Sequence, residues 1–189
     1  MIKAIIFDCF GVLVVDALEA MIQEREESDP EIRQFFHDLM VRYCRGMISP
    51  EESTRIGAEY LGMTADAYRR EIQIREGKNQ VLLDYIVDLR KKYKTALLSN
   101  IGLGSLDKRF TNEERTKYFD TVVTSAELGI AKPDERIYQH TAELLGVETD
   151  ECVFIDDRQE YLDGAGQTGM KTILYTNFTD FKATLSGLL

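Results

Sequence analysis

The stretch Lys3-Ala4-Ile5-Ile6-Phe7-Asp8 decides the fold, because its short apolar run ends abruptly at a carboxylate. Four later runs repeat the pattern, at 95–98, 121–124, 152–155 and 171–175, and a polar residue follows each of them. The runs are rich in β-branched side chains and do not alternate between apolar and polar residues. Strands of this kind are covered on both faces, so the five runs predict a parallel sheet between two layers of helices.

The segments between the later runs have the spacing and the caps of helices. Helices are predicted over 134–143 and from 159 to about 168, with a glycine beyond the end of each. A helix over 79–93 is expected to bury one apolar face, made of Val81, Leu82, Tyr85, Ile86 and Leu89. Strand and helix therefore alternate from residue 79 onward, which predicts a doubly wound, Rossmann-like α/β fold.

Residues 15–78 contain no run typical of a strand, but they contain several helix starts. Helices are predicted over 15–27 and over 29–45, where a proline stands at the first helical position. Ser49-Pro50-Glu51-Glu52 has the pattern of a capping box and is a strong start signal. Thr64 begins the last short helix. A purely helical segment is therefore inserted after the first strand.

The composition is that of an ordinary globular protein, with 189 residues, 44% hydrophobic and 30% charged. No apolar run approaches the ~18 residues that a membrane span needs, and the N-terminus has no signal-peptide pattern. The net charge of −10 repels nucleic acid and anionic membranes, so neither is expected as a partner. Cys9, Cys44 and Cys152 form neither a disulfide framework nor a zinc cluster, which fits a reducing cytoplasm.

Polar and charged residues collect where the predicted strands end, at the sheet edge where function concentrates. They are Asp8, Ser99, Asn100, Lys132, Asp156 and Asp157. Carboxylates are suitable ligands for Mg²⁺, and a carboxylate can also act as a nucleophile. A hydroxyl and a lysine can hold the oxygens of a phosphoryl group where negative charge gathers. These residues predict a metal-assisted transfer of a group to a carboxylate.

Four motifs of the chain resemble those of the haloacid dehalogenase (HAD) superfamily, which consists mostly of phosphatases. The motifs are IIFDCFGVL, LLSN, AKPDERIY and CVFIDDRQEYLDGAGQTGM, and they occur in the order that the superfamily has. RYCRGMISPEES is also similar to the helical cap of the branch that contains the phosphatase domain of bifunctional epoxide hydrolases. The resemblance implies an α/β core of residues 1–14 and 79–189 and a helical cap of residues 15–78.

The resemblance implies a role for each catalytic residue. Asp8 stands at the position of the nucleophile, Ser99 is the hydroxyl of the second motif, and Lys132 is the phosphate-binding and charge-balancing lysine. Ser99, Asn100 and Lys132 are the predicted substrate-binding residues. The expected reaction is the hydrolysis of a small phosphorylated metabolite through an aspartyl-phosphate at Asp8.

The resemblance also implies Mg²⁺ as the cofactor. Its expected ligands are the carboxylates of Asp8 and Asp157, with Asp156 beside them, and the backbone carbonyl of Phe10.

Two positions depart from the pattern of the superfamily's phosphatases. Phe10 stands where they usually carry a second Asp, which acts as general acid and base. Assistance of that kind is worth roughly 10²–10⁴ in rate. Tyr161 stands where many relatives carry an Asp four residues after Asp157, although the branch with the paired Asp often lacks that residue too.

Phe10 leaves three interpretations open. The chain could be a phosphatase for activated leaving groups, or one that borrows an acid from the cap or the substrate. It could be a 2-haloacid dehalogenase, since those enzymes carry an aromatic residue here and Asn100 fits their pattern. Asp8 would then attack carbon without a metal, but the fourth motif lacks the Ser and Asn that are usual in dehalogenases. The third interpretation is a non-catalytic member that binds phosphate or a partner.

One further motif, Gly164-Ala165-Gly166-Gln167-Thr168-Gly169, matches the GxGxxG of dinucleotide-binding proteins letter by letter. It falls inside and at the end of a predicted helix, whereas a dinucleotide fingerprint must open one. Packing glycines and a helix C-cap are the better interpretation.

Overall fold

The five predicted strands form one parallel sheet in the computed structural model, which describes residues 1–189. The strands are β1 (Ala4–Phe7), β2 (Lys94–Ser99), β3 (Thr121–Thr124), β4 (Cys152–Asp156) and β5 (Lys171–Leu174). Their order across the sheet is β3-β2-β1-β4-β5, so the first strand lies at the centre. Phe7 pairs in register with Leu97 of β2 and with Ile155 of β4, which brings the carboxyl ends of three strands level.

Ten α-helices connect and flank the strands. They are α1 (Ala17–Gln23), α2 (Ile32–Cys44), α3 (Pro50–Tyr60), α4 (Ala65–Arg75), α5 (Gln80–Leu89), α6 (Asn112–Tyr118), α7 (Ser125–Leu128), α8 (Glu135–Leu145), α9 (Gln159–Gln167) and α10 (Phe178–Leu188). The helices predicted in the second half are confirmed, and α1 is shorter than the predicted 15–27. None of the ten is both long enough and apolar enough to cross a bilayer.

Both faces of the sheet are covered, as the apolar runs predict. Ile5 and Phe7 of β1 belong to one buried cluster, which includes side chains of α5 and α10. Ala4 and Ile6 belong to a second cluster, which includes side chains of α8 and α9. Successive side chains of a strand point to opposite faces, so β1 has no face open to solvent. Asp8 is therefore the first residue after β1 at which the chain can present a charged group.

The predicted apolar face of α5 is wrong at one residue. The buried residues of this helix are Leu82, Leu83, Ile86 and Leu89, and Tyr85 is half-buried. Val81 is 59% exposed. The reason is geometric, because each residue turns the helix by about 100° and Val81 precedes the stripe that faces the sheet.

The helices α1 to α4 lie between β1 and α5 and add no strand to the sheet. Ile22 of α1, three residues of α2 (Ile32, Phe36 and Leu39) and Ile48 form a buried apolar cluster, against which partly buried side chains of α3 and α4 pack. The chain enters and leaves this segment through two paired linkers. The backbone N–H of Val15 donates to Gly77 O (2.9 Å), and that of Asn79 donates to Leu13 O (2.8 Å). The arrangement agrees with an inserted cap, and its limits at 15 and 78 stay a prediction.

The three cysteines are free and buried. Cys9 lies next to Asp8 in the chain, and burial raises the pKa of its thiol well above the ordinary value. A thiol that stays protonated is a weak nucleophile. Cys9 therefore packs in the core beside the site and supplies no second nucleophile.

The glycine-rich motif packs α9 against the loop between α7 and α8. A Cβ atom on Gly164 would lie 2.5 Å from the carbonyl oxygen of Pro133, so only glycine allows this approach. Gly169 follows the end of the helix with a φ of +91°, a conformation that favours glycine. Both observations confirm that the motif serves helix packing and helix termination.

Replacing Gly164 with Ala is expected to lower the free energy of unfolding by about 1–3 kcal/mol, because overpacking against backbone forces the helix or the loop to move. Gly166→Ala is the matched control, since a Cβ there meets nothing within 4 Å. That control is expected to stabilise the protein by up to about 1 kcal/mol through helix propensity. Urea denaturation measures both changes, and equal effects would contradict the packing role of Gly164.

Candidate active site

The site is built around a lysine that is buried between two carboxylates. Lys132 Nζ lies 2.5 Å from Asp8 Oδ1 and 2.6 Å from Asp156 Oδ2, and all three residues are buried. Asp156 ends β4 and Asp8 directly follows the neighbouring strand β1, while Lys132 lies in the loop between α7 and α8. The structure thus brings Lys132 to two carboxylates that lie 124 and 24 positions away from it in the sequence.

The backbone of Lys132 is fixed by the side chain of Asn100. The backbone N–H of Lys132 donates to Asn100 Oδ1 (2.8 Å), and Asn100 Nδ2 donates to the carbonyl oxygen of Lys132 (2.9 Å). Asn100 follows β2, so this pair ties the loop of Lys132 to the end of a central strand. The contacts give Asn100 a positioning role, and its predicted contact with substrate stays a prediction.

Asp156 and Asp157 follow one another but have different surroundings. Asp156 is fully buried, and its Oδ1 accepts a hydrogen bond from the backbone N–H of Arg158 (2.9 Å). Asp157 is exposed and lies over Gly11, where a Cβ would come within 2.2 Å of Asp157 Oδ2. Gly11 also has a φ of +80°. A glycine in the turn after β1 therefore makes room for the Asp157 carboxylate beside Asp8.

The site carries more negative than positive charge. Burial raises the pKa of Asp8, an effect that the charge of Lys132 opposes and that of Asp156 reinforces. Partial burial and the charges of Asp156 and Asp16 raise the pKa of Asp157 to about 6. Burial works to lower the pKa of Lys132, but Asp8 and Asp156 outweigh it and hold that pKa above its ordinary value. One lysine does not balance these carboxylates.

The donor set fits a divalent cation. One oxygen from each of Asp8, Asp156 and Asp157 can be chosen so that all three lie within 4.8 Å of one another. The backbone carbonyl of Phe10 accepts no hydrogen bond, so its lone pairs are free to bind a ligand. Asp8, Asp157 and the Phe10 carbonyl together provide the hard oxygen ligands that Mg²⁺ prefers. Both oxygens of Asp156 already accept hydrogen bonds, so its predicted role as a ligand stays a prediction.

Ser99 is a buried hydroxyl without a partner. It ends β2, next to the strand that carries Asp8, and its Oγ makes no hydrogen bond. Buried hydroxyls normally have a partner, and the exceptions call for an explanation. An oxygen of a bound phosphoryl group would satisfy this one, which agrees with the role predicted for Ser99.

The position without a general acid is filled by a packed aromatic ring. The guanidinium carbon of Arg109 lies 4.8 Å from the centre of the Phe10 ring, and Arg109 forms a largely buried ion pair with Glu76. Sequence analysis missed Arg109 and Glu76, because neither belongs to a motif. Only the folded chain brings them to Phe10 from the loop after β2 and from the linker after α4.

The chain matches the family model of haloacid dehalogenase-like hydrolases over residues 2–169. It belongs to this family. The prediction made from the four motifs is thereby confirmed, and with it the class of enzyme, a HAD hydrolase.

The relatives that cover most of the chain include both phosphatases and dehalogenases. D-ribitol-5-phosphate phosphatase from Bacteroides thetaiotaomicron is 27% identical over 212 residues, which cover 100% of this chain and 99% of the relative. (S)-2-haloacid dehalogenase from Pseudomonas sp. strain YL is 25% identical over 190 residues, which cover 90% of this chain and 81% of the relative.

A solved structure confirms the fold. A HAD family enzyme from Bacteroides thetaiotaomicron, in complex with magnesium and inorganic phosphate, superposes with a TM-score of 0.73 at 23% identity. The superposition covers 96% of this chain and 99% of that one.

Other relatives are much longer proteins. Bifunctional epoxide hydrolase 2 from Mus musculus is 33% identical over 104 residues, which cover 52% of this chain but only 19% of the relative. The chain spans 19% and 18% of the length of two such relatives. The predicted similarity to the epoxide hydrolase branch is confirmed.

Replacing Lys132 with Met is expected to lower the free energy of unfolding by about 3–5 kcal/mol in the presence of a chelator, because two buried carboxylates lose their cation. Adding Asp8→Asn to that variant is expected to recover part of the loss, since one of the uncompensated charges is removed. Urea denaturation at neutral pH measures both. A loss below about 1 kcal/mol, or no recovery in the double variant, would contradict the charge balance described for the site.

Proposed function

We propose that the protein is a Mg²⁺-dependent phosphomonoesterase that acts on a small phosphorylated metabolite through an aspartyl-phosphate at Asp8. Two observations carry the proposal: the buried pair of Asp8 and Lys132, and the unpartnered hydroxyl of Ser99 at the end of β2, the strand next to β1. A nucleophile, a cation and a hydroxyl donor at one sheet edge match the needs of phosphoryl transfer. The similarity to a D-ribitol-5-phosphate phosphatase supports the substrate class. The free, buried cysteines support the cytoplasm as the predicted location.

The proposed reaction has two steps. Asp8 Oδ attacks phosphorus, its bond to phosphorus forms, and the bond from phosphorus to the leaving oxygen breaks. Lys132 Nζ and Ser99 Oγ donate hydrogen bonds to the phosphoryl oxygens, while Asp156 and Asn100 keep Lys132 in place. Water then cleaves the acyl phosphate, which restores the Asp8 carboxylate and releases inorganic phosphate. Mg²⁺, held by Asp8, Asp157 and the Phe10 carbonyl, would neutralise charge on the phosphoryl group.

The proposed reaction is tested first with an aryl phosphate. We expect purified protein to release the phenol in the presence of Mg²⁺, and we expect a chelator to abolish the release. Asp8→Asn is the control, because it removes the nucleophile and leaves Lys132 paired with Asp156. Release that persists in Asp8→Asn would refute Asp8 as the nucleophile.

The rate is expected to depend steeply on the pKa of the leaving group, because the side chain at position 10 cannot deliver a proton. Acyl and aryl phosphates should be hydrolysed at least about 100-fold faster than sugar phosphates, a factor within the contribution of general acid catalysis. The measurement is kcat/KM across a series of leaving groups. Equal values across the series would show that another group supplies the proton.

Phe10→Asp is expected to raise kcat/KM for sugar phosphates by about 100-fold and to change aryl phosphates little. The gain lies at the lower end of the range for general acids, because Arg109 beside position 10 favours the ionised form of a carboxyl placed there. Phe10→Asn is the matched control, since its amide has the same shape but cannot deliver the proton. An equal gain in both variants would show that removing the ring, rather than adding an acid, changes the rate.

A second reaction, the hydrolytic dehalogenation of a 2-haloacid, is favoured by the aromatic ring at position 10 and by the similarity to a haloacid dehalogenase. Asp8 would then attack carbon and expel halide without a metal. The surplus of carboxylates around Asp8 opposes this reaction, because a haloacid carries a negative charge of its own. Halide release from 2-chloropropionate in the presence of a chelator would establish it. If the protein binds phosphate but releases neither phenol nor halide, it is a non-catalytic phosphate-binding member of the family.

A further inference from the structure

Tyr161 lies inside the candidate active site, on the first turn of α9. The centre of its ring is 4.7 Å from Lys132 Nζ, the atom that contacts Asp8 and Asp156. The same ring centre is 4.9 Å from the guanidinium carbon of Arg158. Tyr161 is half-buried, so part of its side chain remains within reach of a ligand.

The phenol oxygen of Tyr161 accepts a hydrogen bond from a group that can only donate. Arg158 Nη1 donates to it over 3.2 Å, and a guanidinium has no lone pair with which to accept a hydrogen bond in return.

The hydrogen of the Tyr161 phenol has no acceptor in the protein. The only hydrogen bond of this hydroxyl within the protein is the one that it accepts from Arg158. Burial raises the pKa of Tyr161, so the phenol keeps its hydrogen throughout the neutral range. The backbone at Tyr161 is also held in place, because the Tyr138 hydroxyl donates to the backbone oxygen of Tyr161 (2.7 Å).

We propose that the Tyr161 phenol donates a hydrogen bond to the phosphoryl group at Asp8, as a further phosphate-binding residue beside Ser99 and Lys132. The inference rests on the proposed function, since it concerns the same ligand. A phosphoryl group spreads its negative charge over three oxygens. A hydrogen-bond donor that is already in position stabilises the charge on each of them. Ser99 Oγ, Lys132 Nζ and the Tyr161 O–H provide three donors around Asp8.

Tyr161→Phe tests the proposal, because it removes only the O–H. The variant keeps the ring beside Lys132 and the backbone oxygen that accepts from Tyr138. In the presence of Mg²⁺, the Kd for inorganic phosphate measured by calorimetry is expected to rise about tenfold or more, as for a lost hydrogen bond to a charged group. The Kd for Mg²⁺ without phosphate is expected to stay within about twofold of the wild type.

Tyr175→Phe is the matched control. It also removes a phenol that accepts a hydrogen bond, from Asn79 Nδ2 (2.6 Å), but this contact lies at the linker of the helical insertion. Its phosphate affinity is expected to remain that of the wild type. Thermal unfolding of both variants shows whether each is folded at the temperature of the binding experiment.

The outcomes separate this inference from the proposed function. Unchanged phosphate affinity in Tyr161→Phe, with aryl phosphatase activity in the wild type, would overturn the role of Tyr161 alone. Equal losses of Mg²⁺ and phosphate affinity would also overturn it, since the phenol would then only position the site. A wild-type protein that neither binds phosphate nor hydrolyses an aryl phosphate would overturn both proposals.

Discussion

The burial of Lys132 between Asp8 and Asp156 is the interaction on which the rest of the site depends. Burying a lysine and two carboxylates carries a large desolvation free energy. Replacing such a cluster by apolar residues of similar volume is often neutral or stabilising, so the cluster is weak evidence for stability. Two central strands, one loop and the side chain of Asn100 nevertheless hold the three residues in place. The cluster is therefore best explained by chemistry that needs a charged nucleophile and a fixed cation.

The charge balance of the cluster explains how an acidic protein can attract an anionic substrate. The chain has a net charge of −10, and the carboxylates around Asp8 add to the repulsion of a phosphate. Lys132 alone is already paired, so it supplies little free positive charge. A divalent cation at Asp8 and Asp157 would reverse the sign of the local field. Under the proposed function, binding of the substrate would then be coupled to binding of the metal, and the uncharged donors proposed at Ser99 and Tyr161 would select the position of the phosphoryl group.

Sequence patterns predicted those parts of the site that depend on the direction of the strands. The carboxyl ends of parallel strands all lie at the same edge of the sheet. The proximity of Asp8, Ser99 and Asp156 could therefore be predicted from the strand pattern. The contacts of Tyr161 could not, because its pairing with Lys132 depends on how α9 packs on the loop at Pro133. Short helices such as α6 and α7 have too few turns for a periodic signal.

The absence of a general acid at position 10 involves the neighbours of Phe10 as well as Phe10 itself. A general acid must be neutral when the leaving group departs, and a carboxyl becomes neutral more readily when positive charge is absent. Position 10 has a guanidinium beside it instead, and Glu76 and Ser105 hold that guanidinium in place. Arg109 would favour the ionised form of a carboxyl there, which weakens that carboxyl as an acid. The ring of Phe10 and the guanidinium of Arg109 therefore suit each other, and under the proposed function this packing would favour substrates whose leaving groups depart without a proton.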